Sequence, residues 1–95
     1  MKGNSLQEFM DDLLTTGGPE KEFVFRKKRY FLETVYHPEK AENELSVDEI
    51  DMPKGKTYSF RGKTIRECVD KFENAPIFDG LTVYEAESEI EVLFG

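Results

Sequence analysis

Aromatic and β-branched residues alternate with polar ones through residues 20–38, EKEFVFRKKRYFLETVYHP. Such alternation predicts two β-strands joined as a hairpin, with Pro38 ending the second strand. A turn centred on Lys27 and Lys28 would place Phe25 opposite Tyr30 on one face of the hairpin. Two lysines suit a type I′ turn poorly, because both central residues need a positive φ. A longer loop or a slipped register is therefore an open alternative.

An amphipathic helix is predicted before this hairpin, in the stretch SLQEFMDDLLTTGG. Its apolar residues have the i, i+3, i+4, i+7 spacing of a helical stripe, namely Leu6, Phe9, Met10 and Leu13. Ser5 and Glu8 have the spacing of a capping box at the helix start. Gly17, Gly18 and Pro19 predict its end.

After the hairpin, the acidic segment of residues 39–52 is weakly patterned. Leu45, Val47 and Ile50 predict a short edge strand within an otherwise solvated acidic loop. A turn is predicted at Pro53, Lys54 and Gly55. The following residues 56–62, KTYSFRG, predict a further strand with Tyr58 and Phe60 pointing inward.

A second helix is predicted from a capping box of Thr64 and Glu67. Its stripe has the same spacing as the first and consists of Ile65, Cys68, Val69 and Phe72. The helix must stop before Pro76, because a proline disfavours the helical conformation of the residue that precedes it. Asp79 and Gly80 then predict a turn.

Residues 81–95, LTVYEAESEIEVLFG, fit both a strand and a helix. A strand would align four carboxylates on one face as a comb that could imitate a nucleic-acid backbone: Glu85, Glu87, Glu89 and Glu91. A helix would divide them between two flanks and would be capped by Thr82 and Glu85. Alanine and glutamate favour helices over strands, so the helix is predicted.

These elements predict a single α+β domain over residues 1–95. We expect a small antiparallel sheet of three to four strands, with an amino-terminal helix and two carboxyl-terminal helices. No apolar run approaches the ~20 residues that a membrane span needs. The amino terminus lacks the apolar segment of a signal peptide, so the chain is expected in the cytoplasm.

Enzymatic function is not expected from the motifs of the chain. His37 is the only histidine and Cys68 the only cysteine, which argues against a structural zinc site. Cys68 lies on the apolar stripe of the second helix, where a buried thiol is expected. No phosphate-binding glycine loop and no nucleophile elbow is present. We therefore predict no catalytic residue, no cofactor and no metal.

The run KTIRECVDKFENAPIFDGLTVYEAESEIEVL, together with the preceding EFVFRKKRYFLE, resembles a group of small proteins from Gram-positive bacteria and their mobile elements. In that group a helix ends in an IFDGK-like turn that leads into a last helix closing with EIE. The resemblance implies a phage or mobile-element origin. The group carries no assigned activity, so the resemblance implies no catalytic or binding residue.

The net charge of −7 repels phosphate backbones and attracts basic surfaces. The sequence thus predicts an acidic interaction protein whose partner is a protein with a basic surface. A more specific form of this hypothesis is an inhibitor that mimics nucleic acid and blocks a host nuclease or defence complex. The candidate contacts are Glu85, Glu87, Glu89, Glu91, Glu44, Asp48 and Glu49. One alternative is nucleic-acid binding by Arg26, Lys27, Lys28 and Arg29, between aromatic residues. The other is a structural domain with uncharged partner contacts.

Overall fold

The structure is a computed structural model that describes residues 1–15 and 20–94. The α-helices are α1 (Leu6–Leu13), α2 (Ile65–Asn74) and α3 (Val83–Ala86). The β-strands are β1 (Lys21–Phe25), β2 (Lys28–His37), β3 (Glu42–Ile50), β4 (Thr57–Gly62) and β5 (Ile90–Phe94). Short 3-10 turns follow β2 and α3.

The strands form one antiparallel sheet in the order β4-β3-β2-β1-β5. Alternate residues of β1, β2 and β3 are buried with residues of the helices in a single hydrophobic core. The helices therefore cover one face of the sheet and leave the other face open. The predicted α+β class is confirmed, but the sheet has five strands rather than three to four.

The β1–β2 hairpin turns one residue earlier than predicted, at Arg26 and Lys27. Their φ angles are 48° and 67°, so both central residues are in the left-handed region that a type I′ turn requires. Phe25 consequently lies opposite Lys28, and the predicted pairing of Phe25 with Tyr30 is wrong. Moving the turn by one residue shifts the cross-strand partner of each β1 residue by two positions. A shift of two keeps every side chain on the predicted face of the sheet, so Phe25 and Tyr30 are both buried.

We expect Lys27→Gly to raise the free energy of unfolding by about 0.5–1 kcal/mol, because glycine adopts positive φ without a steric penalty. The Lys27 side chain is exposed, and it makes no ion pair within residues 1–15 and 20–94. Urea unfolding monitored by circular dichroism measures the change. Lys40→Gly is the matched control, because its φ is not positive and glycine there should bring no gain. An equal gain in both variants would contradict the explanation.

The three predicted helix starts are confirmed by their caps. The Ser5 and Thr64 hydroxyls accept hydrogen bonds from the N–H groups of Glu8 and Glu67, at 3.1 and 3.2 Å. Among α1, α2 and α3, the reciprocal capping box forms only at α3, around Thr82. The predicted end of α1 at residues 17–19 lies outside the described residues.

The predicted final helix is wrong beyond its first turn. α3 ends at Ala86, a 3-10 turn covers Glu87–Glu89, and Ile90–Phe94 forms β5 along the edge of β1. The amino-terminal segment then hydrogen-bonds to the outer side of β5. Lys2 donates its N–H to the Ile90 carbonyl at 2.9 Å, and its carbonyl accepts from the Val92 N–H at 2.8 Å.

The predicted edge strand in the acidic segment is also wrong, because β3 lies between β2 and β4 and is nine residues long. Leu45 and Val47 face the core, and the acidic residues before and after them occupy both faces of an interior strand. The turn predicted at Pro53 is confirmed by the hydrogen bond from the Gly55 N–H to the Met52 carbonyl at 3.3 Å.

The core is organised around Phe78, which a tight turn at Asp79 and Gly80 projects inward. The amide and carbonyl groups of Phe78 and Leu81 exchange hydrogen bonds of 3.0 and 2.9 Å across that turn. The Phe78 ring contacts four other rings, at centroid distances of 5.3–6.4 Å, namely those of Phe23, Phe25, Tyr30 and Phe72. The loop between α2 and α3 thus joins the helices to the sheet.

Candidate interaction surfaces

The four carboxylates of the tail form neither a comb nor two helical flanks, because each has a different partner within the chain. The pairs are Glu85 with the Thr82 N–H, Glu87 with the Met1 amino group, Glu89 with the Arg26 guanidinium, and Glu91 with the Lys2 ammonium. The Arg26–Glu89 pair is bidentate, with distances of 3.0 and 2.8 Å, and it lowers the pKa of Glu89. Three of these carboxylates, those of Glu87, Glu89 and Glu91, join the tail to other parts of the fold.

The candidate acidic contacts in the centre of the chain lie on β3 and divide between its two faces. Glu44 accepts hydrogen bonds from Ser59 and from His37, the latter at 2.7 Å, and these two bonds lower its pKa. Glu49 is on the helix-covered face, where it accepts a hydrogen bond from the Tyr58 hydroxyl at 3.3 Å. Asp48 lies on the open face and makes no ion pair within the described ranges. The three carboxylates therefore do not form one acidic surface.

The basic residues of the hairpin turn are largely neutralised by neighbouring carboxylates. Besides its pair with Glu89, Arg26 lies 3.6 Å from Asp79, and Lys28 also pairs with Asp79. Arg29 pairs with Glu22 and Asp51, at 2.8 and 3.0 Å.

Three of the four rings beside this turn point into the core, whereas Phe31 lies on the open face of the sheet. Phe23, Phe25 and Tyr30 are fully buried, so they offer no stacking surface for bases. Together with the neutralised cations, this arrangement gives little support to nucleic-acid binding at the turn.

A groove between α1 and α2 was not predicted from the sequence. It encloses about 430 Å³ and is lined on its apolar side by Leu6, Met10, Leu14 and Val69. Its polar lining consists of Gln7, Asp11, Arg66, Glu73 and Tyr84. Of its lining residues, Leu6, Met10 and Val69 belong to the predicted apolar stripes, and the meeting of the two helices depends on the sheet beneath them.

The groove carboxylates are hydrogen-bonded but carry no ion pair within the described part of the chain. Asp11 accepts a hydrogen bond from the Gln7 side chain at 2.8 Å, and Glu73 accepts one from the Tyr84 hydroxyl at 2.9 Å. Arg66 is the cation among the described lining residues, against these two carboxylates. The groove therefore combines an apolar floor with a net negative rim.

His37 and Cys68 have structural surroundings. His37 is held between Glu44 and Glu39 at one end of β2. Cys68 is fully buried, as its stripe predicts, and burial raises the pKa of its thiol. Within residues 1–15 and 20–94, no three His, Cys, Asp or Glu side chains converge as metal ligands, and no helix is long and apolar enough to cross a membrane.

The fold is thus a small α+β domain with a five-stranded antiparallel sheet, one open sheet face and a groove between its two longer helices. No protein-family model matches the chain, and searches of curated proteins and solved structures find no significant match.

Proposed function

We propose that this chain is a non-enzymatic, cytoplasmic interaction domain of a phage or mobile element, and that its α1–α2 groove binds a partner protein with a basic surface. The observation that carries the proposal is the apolar groove whose rim carboxylates have no cationic partner in the described residues. Lysine and arginine side chains of a partner would supply that missing charge, and an apolar side chain between them would fill the floor.

The distribution of charge within the chain supports this choice of surface. Several carboxylates of the tail and of β3 have a cationic partner in the described residues, namely Glu44, Glu87, Glu89 and Glu91, whereas Asp11 and Glu73 of the groove rim have hydrogen bonds but no ion pair there. A net charge of −7 also attracts a basic partner at long range, which raises the association rate. The proposed contacts therefore move from the tail and β3 to the helices.

Mimicry of nucleic acid has less support than the binding of a basic protein in the α1–α2 groove. A mimic needs a row of free carboxylates at regular spacing, and the tail does not supply one because its four carboxylates are separately paired. We therefore place the partner contact on apolar surface flanked by charge.

The test compares two double variants that change the net charge equally. Asp11→Asn with Glu73→Gln removes the two negative charges of the groove lining while keeping oxygen acceptors for Gln7 and Tyr84. Glu33→Gln with Asp48→Asn is the matched control on the open sheet face.

A partner is first isolated from native host extract with the unaltered chain, and its Kd for each variant is then measured at two salt concentrations. We expect the groove variant to weaken binding about 5- to 30-fold at low salt, since each rim charge contributes about 0.5–1 kcal/mol to such a contact. The loss should shrink as salt rises, and the control should stay within about twofold of the unaltered chain. Equal losses in the two variants, or none in the groove variant, would exclude the groove as the contact.

A further inference from the structure

The two edges of the sheet differ in how they are covered. At the β5 edge, the backbone of Lys2 hydrogen-bonds to the Ile90 carbonyl and to the Val92 N–H. At the opposite edge, β4 has a neighbouring strand, β3, on one side only. The outward N–H and C=O groups of an edge strand can pair with a strand of another molecule. The β4 edge is therefore the part of the sheet that can extend across a molecular contact.

The pairing of β3 with β4 determines which backbone groups of β4 point outward. The Glu49 N–H donates to the Lys56 carbonyl at 2.8 Å, so these two residues form a hydrogen-bonded pair. In an antiparallel ladder such pairs alternate with pairs that are not hydrogen-bonded. The N–H and C=O groups of Thr57, Ser59 and Arg61 consequently point away from β3.

Helix α2 covers only the carboxyl-terminal end of this edge. The Lys71 ammonium donates to the Arg61 carbonyl, and the Glu67 carboxylate accepts a hydrogen bond from the Lys63 N–H. Both contacts involve the alternate residues whose backbone groups point outward. The outward groups of residues 57–59 and the Arg61 N–H have no hydrogen-bond partner within residues 1–15 and 20–94.

A second copy of β4, running antiparallel, fits these free groups when Ser59 lies opposite Ser59 of the second copy. In that register Thr57 lies opposite Arg61 of the second copy, so each free outward group meets a complementary one. On the helix-covered face, Tyr58 lies opposite Phe60 of the second copy. Both rings are half-buried within one chain, and cross-strand aromatic pairs stabilise antiparallel strands. The edge is thus complementary to itself.

The charges of this segment are compatible with the same register. Like charges directly opposite each other would destabilise a strand pair. Each cation from residue 56 to residue 61 instead lies opposite an uncharged residue of the second copy, the pairs being Lys56 with Gly62 and Arg61 with Thr57. Arg61 is also paired with two carboxylates of β3 in its own chain. The acidic β3 of each copy would flank the two β4 strands on both sides.

We propose that two copies of this chain associate through antiparallel β4 strands, with Ser59 at the two-fold axis, and join their five-stranded sheets into one continuous sheet. A single strand pair is a small interface, so the association is weak and depends on concentration. The β4 edge shares no residue with the α1–α2 groove, so this proposal and the proposed function can fail independently.

The first test is sedimentation equilibrium from micromolar to millimolar concentration, in which the mean mass should rise from that of a monomer toward that of a dimer. Ser59→Pro removes an outward N–H that makes no bond to β3, and proline is tolerated at such edge positions. It should weaken dimerisation by about tenfold or more. Ser59→Ala keeps the N–H and should dimerise like the unaltered chain. A monomer at every concentration, or a folded Ser59→Pro variant that dimerises normally, would overturn the proposal.

The second test locates the axis by cross-linking and does not depend on the folding of the proline variant. Ser59→Cys should form a disulfide between two chains under mild oxidation, because paired residues at the axis have the separation that a disulfide needs. Thr57→Cys is the matched control, since Thr57 is equally exposed on the same strand face. The two Thr57 positions would be at least ~13 Å apart, too far for a disulfide. Cys68 is buried in both variants. Equal cross-linking of the two variants, or none in Ser59→Cys, would exclude this interface.

Discussion

We expect Phe78→Ala to lower the free energy of unfolding by about 3–5 kcal/mol, the range for deleting a buried phenylalanine ring. Phe78 is fully buried and contacts four other aromatic rings, so its removal leaves a cavity that several rigid neighbours border. A small domain has about 5–15 kcal/mol of stability in total, so the variant should lose a large share of it. Urea unfolding followed by circular dichroism measures the loss.

Tyr36→Ala is the control for the Phe78 prediction. Its ring is 56% exposed at the far end of β2, where a cross-strand contact contributes less than about 1 kcal/mol. A loss in Phe78→Ala no larger than in this control would mean that the loop after α2 does not join the helices to the sheet.

The second large effect is expected at Ile90, where we predict that alanine costs about 2–5 kcal/mol. Ile90 is 2% exposed in β5 and packs beneath the edge of β1, whereas Leu93 in the same strand is 45% exposed. Leu93→Ala should therefore change the free energy of unfolding by no more than about 0.5 kcal/mol. Thermal and urea unfolding of the two variants give the comparison.

This pair of variants distinguishes the strand from the helix that the sequence predicts. A helical tail would bury Ile90 and Leu93 on one stripe, and the two alanine variants would then lose similar stability. In the strand, a register irregularity between Glu22 and Phe23 of β1 lies beside this part of β5, and Leu93 stays outside the core. Similar losses at both positions would count against the strand.

Local signals account for the elements that could be predicted. A capping residue and an apolar stripe lie within one short segment, so the starts of α1, α2 and α3 follow from the sequence alone. The alternation of apolar and polar residues that predicts β1, β2 and β4 also lies within one short segment for each strand. The type I′ turn at Arg26 was missed because neither residue favours positive φ, and only the paired strands hold them there.

The predictions that are wrong concern segments whose structure depends on residues distant in the sequence. The tail forms a helix after Thr82, where the local sequence determines its conformation. It becomes a strand at Ile90, because the free edge of β1 offers backbone hydrogen bonds there. β3 is an interior strand because β2 and β4 flank it, which its acidic sequence does not reveal.

The surroundings of the candidate contact residues depend on distant neighbours in the same way. A carboxylate is available to a partner protein only if the fold has not brought a cation next to it. Glu89, for example, pairs with Arg26, which is 63 positions away in the sequence. The α1–α2 groove likewise exists only once both helices are seated on the sheet.

The position of β5 beside β1 also has a consequence for synthesis of the chain. β1 pairs with β2 as soon as the hairpin has been made, but its other edge stays open until residues 90–94 have left the ribosome. An open edge can pair with a neighbouring nascent chain, and contacts this distant in sequence form slowly. From the emergence of β2 until that of β5, the nascent sheet therefore has an edge that can recruit a foreign strand.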